Sequence, residues 1–372
     1  MRFHAILNFL ARPTLFFYAL PWLMVLLVAG TVVQRDIGLY RAEKIFFGAP
    51  IIWLGPIPLP GTITVLGLIA VSLTAKLLLK SPWRRGAHGT LMIHGSMLVL
   101  LGGGLLTHLG REEGYLELAV GATGAVVSDY HDRALAVVKN GTTLLTLPED
   151  DLATPATIYH PAMPFKIIPQ AYCRNCAPRE RAEDARGEAA GSYRGDAAAM
   201  ALTAAPLLAQ DEENRAGVTF SVSGAGAELD GTYIAFDGLK RMPSFDVGPD
   251  HYEVAMRRAE RVLPFAVKLL EFKKSNHPGT DIARAYAATV EVQDGGTAWR
   301  TEISMNAPLR HRDYTLYQAS FIDRDGALSS VLTVVKDRGQ IFPYLSCALL
   351  CLGLALHLGR MVVRRPAAGD GA

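Results

Sequence analysis

Residues 13–33 read PTLFFYALPWLMVLLVAGTVV, and none of the side chains is charged. At helical rise that run is about 30 Å long, the depth of a bilayer's hydrocarbon core. Gln34-Arg35-Asp36 follows directly, with no small-x-small cleavage site before it, so the run reads as a retained span rather than a signal peptide. Three more runs are long and apolar enough to cross: residues 61–79, 89–109 and 341–359. The expected fold class is therefore membrane α-helical, with about four transmembrane helices. The apolar residues gather at the two ends, and the middle of the chain is charged and rich in turn residues.

Basic residues near the helix ends set the expected orientation. Arg2 and Arg12 precede the first span. Lys76, Lys80, Arg84 and Arg85 lie between the second and third, and Arg360, Arg364 and Arg365 follow the fourth. An alternating path puts all of them on one side, the cytoplasm, with both termini. Only Arg35, Arg41 and Lys44 stand in the short loop opposite. The expected organisation is three spans with an outer interfacial loop over residues 1–109, an extracytoplasmic domain over 110–340, and a fourth span with a cytoplasmic tail over 341–372. Residues 40–60 carry Phe46, Phe47 and Trp53 among prolines, which suits either a segment in the outer headgroup layer or a plain loop.

In the middle region, short runs rich in Val, Thr, Tyr, Phe and Ile alternate with Gly, Asn, Asp and Pro. Examples are 134–139 and 142–146 around an Asn140-Gly141 hairpin turn, then 218–222, 233–237, 265–270, 288–292 and 314–319. Such spacing predicts a mainly-β, sandwich-like antiparallel domain. Residues 177–217, rich in Ala, Arg, Glu and Asp, show no strand pattern and read as a helical excursion or a mobile polar insert. No GxGxxG, Walker loop or nucleophile elbow occurs, so the domain shows no enzyme constellation. A net charge of +2 supplies no basic field for nucleic acid.

Ionisable residues inside a span are costly and mark function by default. His94 lies about five residues into the third span and His357 near the cytoplasmic end of the fourth, in the same leaflet; His108 stands at the other end of the third. His88 and His4 are interfacial. A neutral imidazole is a good axial ligand for haem iron, and equally a partner for a neighbouring helix. His94 and His108, fourteen residues apart, nearly share a helix face, as in a di-haem cytochrome b, but the second pair of histidines is missing. Gly95, Ser96 and Gly102–Gly104 would let a helix or a planar ring approach closely. Cys173 and Cys176 form a CxxC pair with no following His, so no c-type haem attachment site; a structural disulfide, a metal site and thiol exchange remain open. Cys347 and Cys351 share a helix face and read as packing residues.

The chain as a whole resembles the ResB-like family, membrane proteins of the System II pathway of cytochrome c biogenesis. The resemblance rests on Gly30-Thr31-Val32-Val33-Gln34, on His94-Gly95-Ser96, and on Leu263-Pro264-Phe265 leading to Pro278-Gly279-Thr280. It also rests on Asn306-Ala307-Pro308 followed by Tyr317-Gln318-Ala319-Ser320, with the last helix beyond. It implies a subunit of a cytochrome c synthetase (haem lyase-like) complex in a bacterial plasma membrane. Such a subunit helps move haem b outward for attachment to apocytochrome c. It implies a Trp-rich, ResC-like membrane partner, since the four tryptophans here are scattered, and it admits a thioredoxin-like thiol reductant. His94 matches the haem-ligating histidine, with the second ligand from the partner or from His357. The alternatives are a b-type cytochrome subunit of a membrane redox enzyme and a cofactor-free membrane-anchored scaffold.

Overall fold

The computed structural model describes residues 8–81, 83, 87–181, 192–280, 283–324 and 327–364. Arg2, His4, Arg84, Arg85, Arg365 and the middle of the 177–217 stretch lie outside them. The chain forms two compact units. One comprises Met1–Glu112, Arg310–Thr315 and Val335–Ala372, the other Glu113–Leu309 and Leu316–Val334.

The first unit holds four long helices: α1 (Pro13–Ile37), α2 (Thr62–Leu79), α3 (His88–Gly110) and α4 (Phe342–Arg364). Each is long and apolar enough to cross a membrane. Their outward faces are apolar as well: Val28, Leu78 and Leu109 are all more than half exposed. Water would penalise such continuous apolar surface, and lipid does not. The protein is a membrane protein.

Pro13 opens α1 at its first turn, where a missing N–H costs nothing. Gly38, at φ 85°, closes it by donating its N–H to the Gln34 carbonyl. A π-helical turn, Glu43–Gly48, then leads into a hairpin of β1 (Ile51–Leu54) and β2 (Ile57–Pro60). Ala19, Leu26, Ile52 and Val65 form the small core that joins α1, the hairpin and α2.

α3 and α4 pack closely along a seam of small residues. Gly89, Ser96 and Gly103 recur every seventh residue on α3, and Gly339, Ser346 and Gly353 recur in the opposite sense along and just before α4. A Cβ on Gly89 would stand 2.7 Å from the Gly353 carbonyl oxygen, and one on Gly353 would stand 3.0 Å from that of Gly89. The Ser346 hydroxyl donates to the Ser96 carbonyl at 2.7 Å. At the far end Asp337 accepts from the Thr107 hydroxyl at 2.9 Å and from the Gly339 N–H at 2.7 Å. Two turns of helix are close to seven residues, so a seven-residue repeat of small side chains keeps one stripe in contact.

The second unit is mainly antiparallel β. Its large sheet runs β14 (Thr297–Ser304), β13 (Ala283–Asp294), β12 (Asp250–Asn276), β4 (Thr123–Lys139), β3 (Glu112–Ala119), β17 (Ala327–Lys336), β16 (Tyr314–Arg324) and β15 (Leu309–His311). There β5 (Thr142–Pro148) pairs with β4, and β11 (Ser244–Val247) with β12. A smaller sheet of β10 (Gly231–Phe236), β9 (Gly217–Ser223) and β6 (Lys166–Cys173) packs on it. Phe165, Phe220, Tyr233, Phe245 and Tyr252 fill the core between the layers with Leu135, Val137 and Met256. The Asn140-Gly141 turn is formed as expected: both residues have positive φ and Lys139 pairs with Thr142.

Within residues 177–217 no α-helix occurs among the described residues, and residues 182–191 lie outside them. Instead β7 (Cys176–Glu180) pairs along its length with β8 (Met200–Ala204), and a single 3₁₀ turn stands on each side of β8, at Gly195–Ala198 and Asp211–Glu213. Composition favours helix at these positions, but pairing with a neighbouring strand overrides propensity.

Candidate functional site

His94 lies in the second turn of α3, half-buried. Its Nδ1 is 2.8 Å from the carbonyl oxygen of Thr90. A carbonyl only accepts, so Nδ1 carries a proton, and in the neutral ring Nε2 keeps the lone pair. That is the tautomer a metal-binding imidazole needs, held by the kind of backbone contact that orients such ligands. Nε2 of His94 makes no hydrogen bond among the described residues.

The same Thr90 touches the second intramembrane histidine. Its hydroxyl lies 3.4 Å from Nδ1 of His357. His357 sits at the seam, its backbone N–H only 2.7 Å from where a Cβ on Gly89 would stand. His94 lies elsewhere on the helix. At about 100° per residue it stands roughly 140–160° around α3 from Gly89 and Ser96. Thr90 therefore links the two histidines through opposite ends of one residue, and the rings do not stack against each other across the seam. His108 is at the other end of α3, with its Cε1 3.9 Å from the Cβ position of Gly48.

The glycines around His94 divide by face. Gly103 meets the Phe342 side chain, whereas Gly95 and Gly102 have nothing within 4 Å of a built Cβ. The flank of α3 beside His94 is thus smooth and open, and a flat ring has room against it. No sequence pattern marks Thr90 or the partner that Ser96 meets in Ser346. The seven-residue recurrence 89, 96, 103 was the available signal.

In the β domain, Cys173 and Cys176 form a disulfide. It closes the turn between β6 and β7 and presents Arg174 and Asn175. Arg174 binds Asp211 through Nε at 3.1 Å and Nη2 at 2.8 Å, and it also binds Glu149. Tyr172 donates to the other oxygen of Glu149 at 2.5 Å, and His131 Nδ1 is 3.0 Å from Asp211 Oδ2. Asn175 donates to the Pro206 carbonyl at 2.6 Å. Burial alone would raise the Asp211 carboxyl, yet the hydrogen bonds from His131 and Arg174 hold it well below the usual carboxylate range. Burial and the Glu149 hydrogen bond push the Tyr172 hydroxyl up.

This arrangement is a staple for the turn. A loop with a sequence separation of only 3 constrains the unfolded chain little, about 2 kcal/mol by the chain-entropy relation. Replacing both Cys173 and Cys176 by serine is expected to lower the β domain's stability by no more than that. Denaturant titration with and without dithiothreitol measures it, and a much larger loss would mean the disulfide holds the charged network in place.

The family signature residues lie in the β domain. Asn306 and Pro308 belong to the tight connection from β14 to β15, closed by the Ser304–Ala307 bridge. Gln318 is buried; it donates to the Ser320 carbonyl at 2.8 Å and accepts from Ser330 at 2.9 Å. Tyr317 faces outward. These residues build turn and sheet. Among the described residues no group of three or more His, Cys, Asp or Glu side chains is arranged to hold a metal ion.

Four spans, a histidine-bearing helix pair and a layered antiparallel β domain together define a membrane-anchored β protein. The resemblance read from the motifs holds: residues 244–329 match the model of the ResB-like family, a stretch that runs from β11 into β17 and includes the Asn306 and Gln318 segments. The chain is also similar to Protein NrfI of Wolinella succinogenes, 32% identical over 109 residues. That alignment covers 28% of this chain and 12% of NrfI.

Proposed function

We propose that this chain is a haem-handling subunit of a cytochrome c assembly complex, with His94 as an axial ligand. The observation that carries the reading is the Thr90 carbonyl on His94 Nδ1, which fixes Nε2 as the free lone pair inside a membrane span. The residues present suit a haem b. His94 would hold the iron, the open flank at Gly95 and Gly102 would admit the ring, and α4 would brace α3 from behind through the Gly89–Gly353 contact. Bound haem supplies the reducible iron and the vinyl groups that a cytochrome c synthetase joins to cysteines.

His357 is engaged with Thr90 on the seam, so the second ligand comes from a Trp-rich, ResC-like partner. Apocytochrome c is the client, and a thioredoxin-like reductant keeps its cysteines reduced. The positive-inside pattern supports both termini in the cytoplasm and the β domain on the outer face of a bacterial plasma membrane. The ResB-like match over the β domain and the similarity to NrfI support this pathway.

The test is the absorption spectrum of the protein co-purified with its partner in mild detergent, wild type against His94→Ala. The variant is expected to lose most of its haem, and added imidazole to restore part of it. Unchanged haem would remove His94 from the site. Haem that stays bound and cycles with quinol would instead make this a b-type cytochrome subunit, and haem absent from every preparation would make it a scaffold.

A further inference from the structure

From Ile45 to Ala75 the chain carries no charged residue, although only residues from Thr62 onward belong to α2. The end of the π-helical turn, from Ile45 on, and the β1–β2 hairpin therefore share the composition of the spans without being one. Hydrogen bonds show where they sit along α1. The Lys80 ammonium reaches the Asn8 carbonyl at 3.5 Å and the Ser72 hydroxyl reaches that of Leu10 at 2.7 Å. The Trp22 indole reaches the Pro60 carbonyl at 2.9 Å. So α2 begins level with Trp22. Beyond that level, α1 continues apolar from Leu23 to Val33, about 16 Å at helical rise. There its neighbours are the π turn and the hairpin: a Cβ on Gly30 would stand 2.7 Å from the Phe47 ring, and Ile52 packs in the core with Leu26.

The hairpin is also built for a medium poor in hydrogen-bond partners. Gly61 donates to the Pro50 carbonyl at 2.9 Å, which marks a hydrogen-bonded pair. Pairs alternate along an antiparallel ladder, so Leu59/Ile52 and Ile57/Leu54 are the next bonded pairs, and positions 58 and 60 turn their backbone nitrogens outward. Both are proline. The outer edge of β2 therefore presents no N–H donor there, which lowers the penalty for that edge in lipid, while Ile51 and Trp53 on the β1 edge keep theirs for the headgroup level. Its exposed side chains are Ile51, Trp53, Leu54 and Ile57, each about half exposed or more. Gly61 permits the tight base, since a Cβ there would stand 2.1 Å from the Ala49 carbonyl oxygen.

We propose that the β1–β2 hairpin is immersed in the lipid leaflet that holds the C-terminal half of α1, with the Trp53 ring at the level of the ester groups. The occupant of its apolar face is lipid, beside the part of α1 that runs on past the start of α2. This inference does not depend on haem or on any partner.

The full chain, reconstituted in phosphatidylcholine vesicles, tests it. The fluorescence difference between wild type and Trp53→Phe isolates Trp53 from the other three tryptophans. Quenching of that difference by bromine on the acyl chains, several-fold stronger than by aqueous iodide, is the expected result. Quenching by iodide and not by brominated lipid would place the hairpin in water and overturn the proposal. Protection from both would place it against protein and overturn it as well. Ile57→Trp in the Trp53→Phe background supplies a second reporter one strand away, which must follow the same pattern.

Discussion

Asp211→Ala is expected to destabilise the β domain by about 3 kcal/mol, the lower end of the range for removing one partner of a buried ion pair. Asp211 is only 3% exposed and accepts from Arg174 twice, from His131 and from Asn214 Nδ2. Its loss takes from the Arg174 guanidinium, itself mostly buried, one of the two carboxylates it meets among the described residues. For a domain of this size the loss corresponds to roughly 6–12 °C in Tm. Thermal unfolding of the purified full chain, followed by far-ultraviolet circular dichroism, measures it. A shift under about 2 °C would mean that Glu149 and water replace Asp211 without cost. The same carboxylate makes a signed pH prediction. Its folded pKa is depressed, so its contribution is fully present above the unfolded value, about 3.9, and drains away as pH falls from there towards the folded value. Acidification below about pH 4 should therefore cost the wild type more stability than it costs Asp211→Ala.

That network also marks where sequence reading stops. The partners of Arg174 lie 25, 37 and 43 residues away, in a helical turn, a 3₁₀ turn and a bulged strand, and no local pattern announces them. The CxxC pair was visible, but whether it closes a disulfide depends on β6 and β7 bringing the sulfurs together. The spans were legible because a charge-free run of helical length has few other readings. Strands such as 134–139 were legible because Asn140-Gly141 fixed their turn. β12 was read only as a short run at 265–270, although it extends for 27 residues. Its register shifts near Glu260 and Val267 bend it so that one strand serves both halves of the sheet, and the bends interrupt the alternation that betrays a strand. Two parts of the 177–217 stretch pair as β7 and β8, although their composition speaks for helix. For the candidate site, His94 stood out as an ionisable residue in a span. Thr90, which sets its tautomer, did not, because a threonine in a membrane helix is unremarked until its carbonyl is seen to be taken.

Gly353→Val is expected to open the α3–α4 seam and to disturb the histidine pair with it. The position is hemmed in by backbone: a Cβ there meets the Gly89 carbonyl oxygen at 3.0 Å, the Ile93 nitrogen at 3.0 Å and the Met92 Cβ at 2.9 Å. Backbone of a packed helix cannot rotate away as a flexible side chain does, so the helices must separate, at a cost of roughly 1–3 kcal/mol for overpacking. Separation acts first on the contact between Thr90 and His357 at 3.4 Å, one turn from the substituted glycine. Cross-linking reads the seam directly. In a background with Cys347 and Cys351 changed to serine, Ser96→Cys and Ser346→Cys should oxidise to a disulfide, since the Ser346 hydroxyl touches the Ser96 backbone carbonyl at 2.7 Å and both residues are buried in the seam. Adding Gly353→Val should cut that yield sharply, while Gly95→Val, on a face with nothing within 4 Å, should leave it unchanged. If both variants cross-link like the parent, the small-residue repeat is not what holds the two helices together. If only Gly353→Val fails, and haem falls with it while the Nδ1 contact of His94 stays within its own helix, then α4 supports the ligand by bracing α3 rather than by supplying a second one.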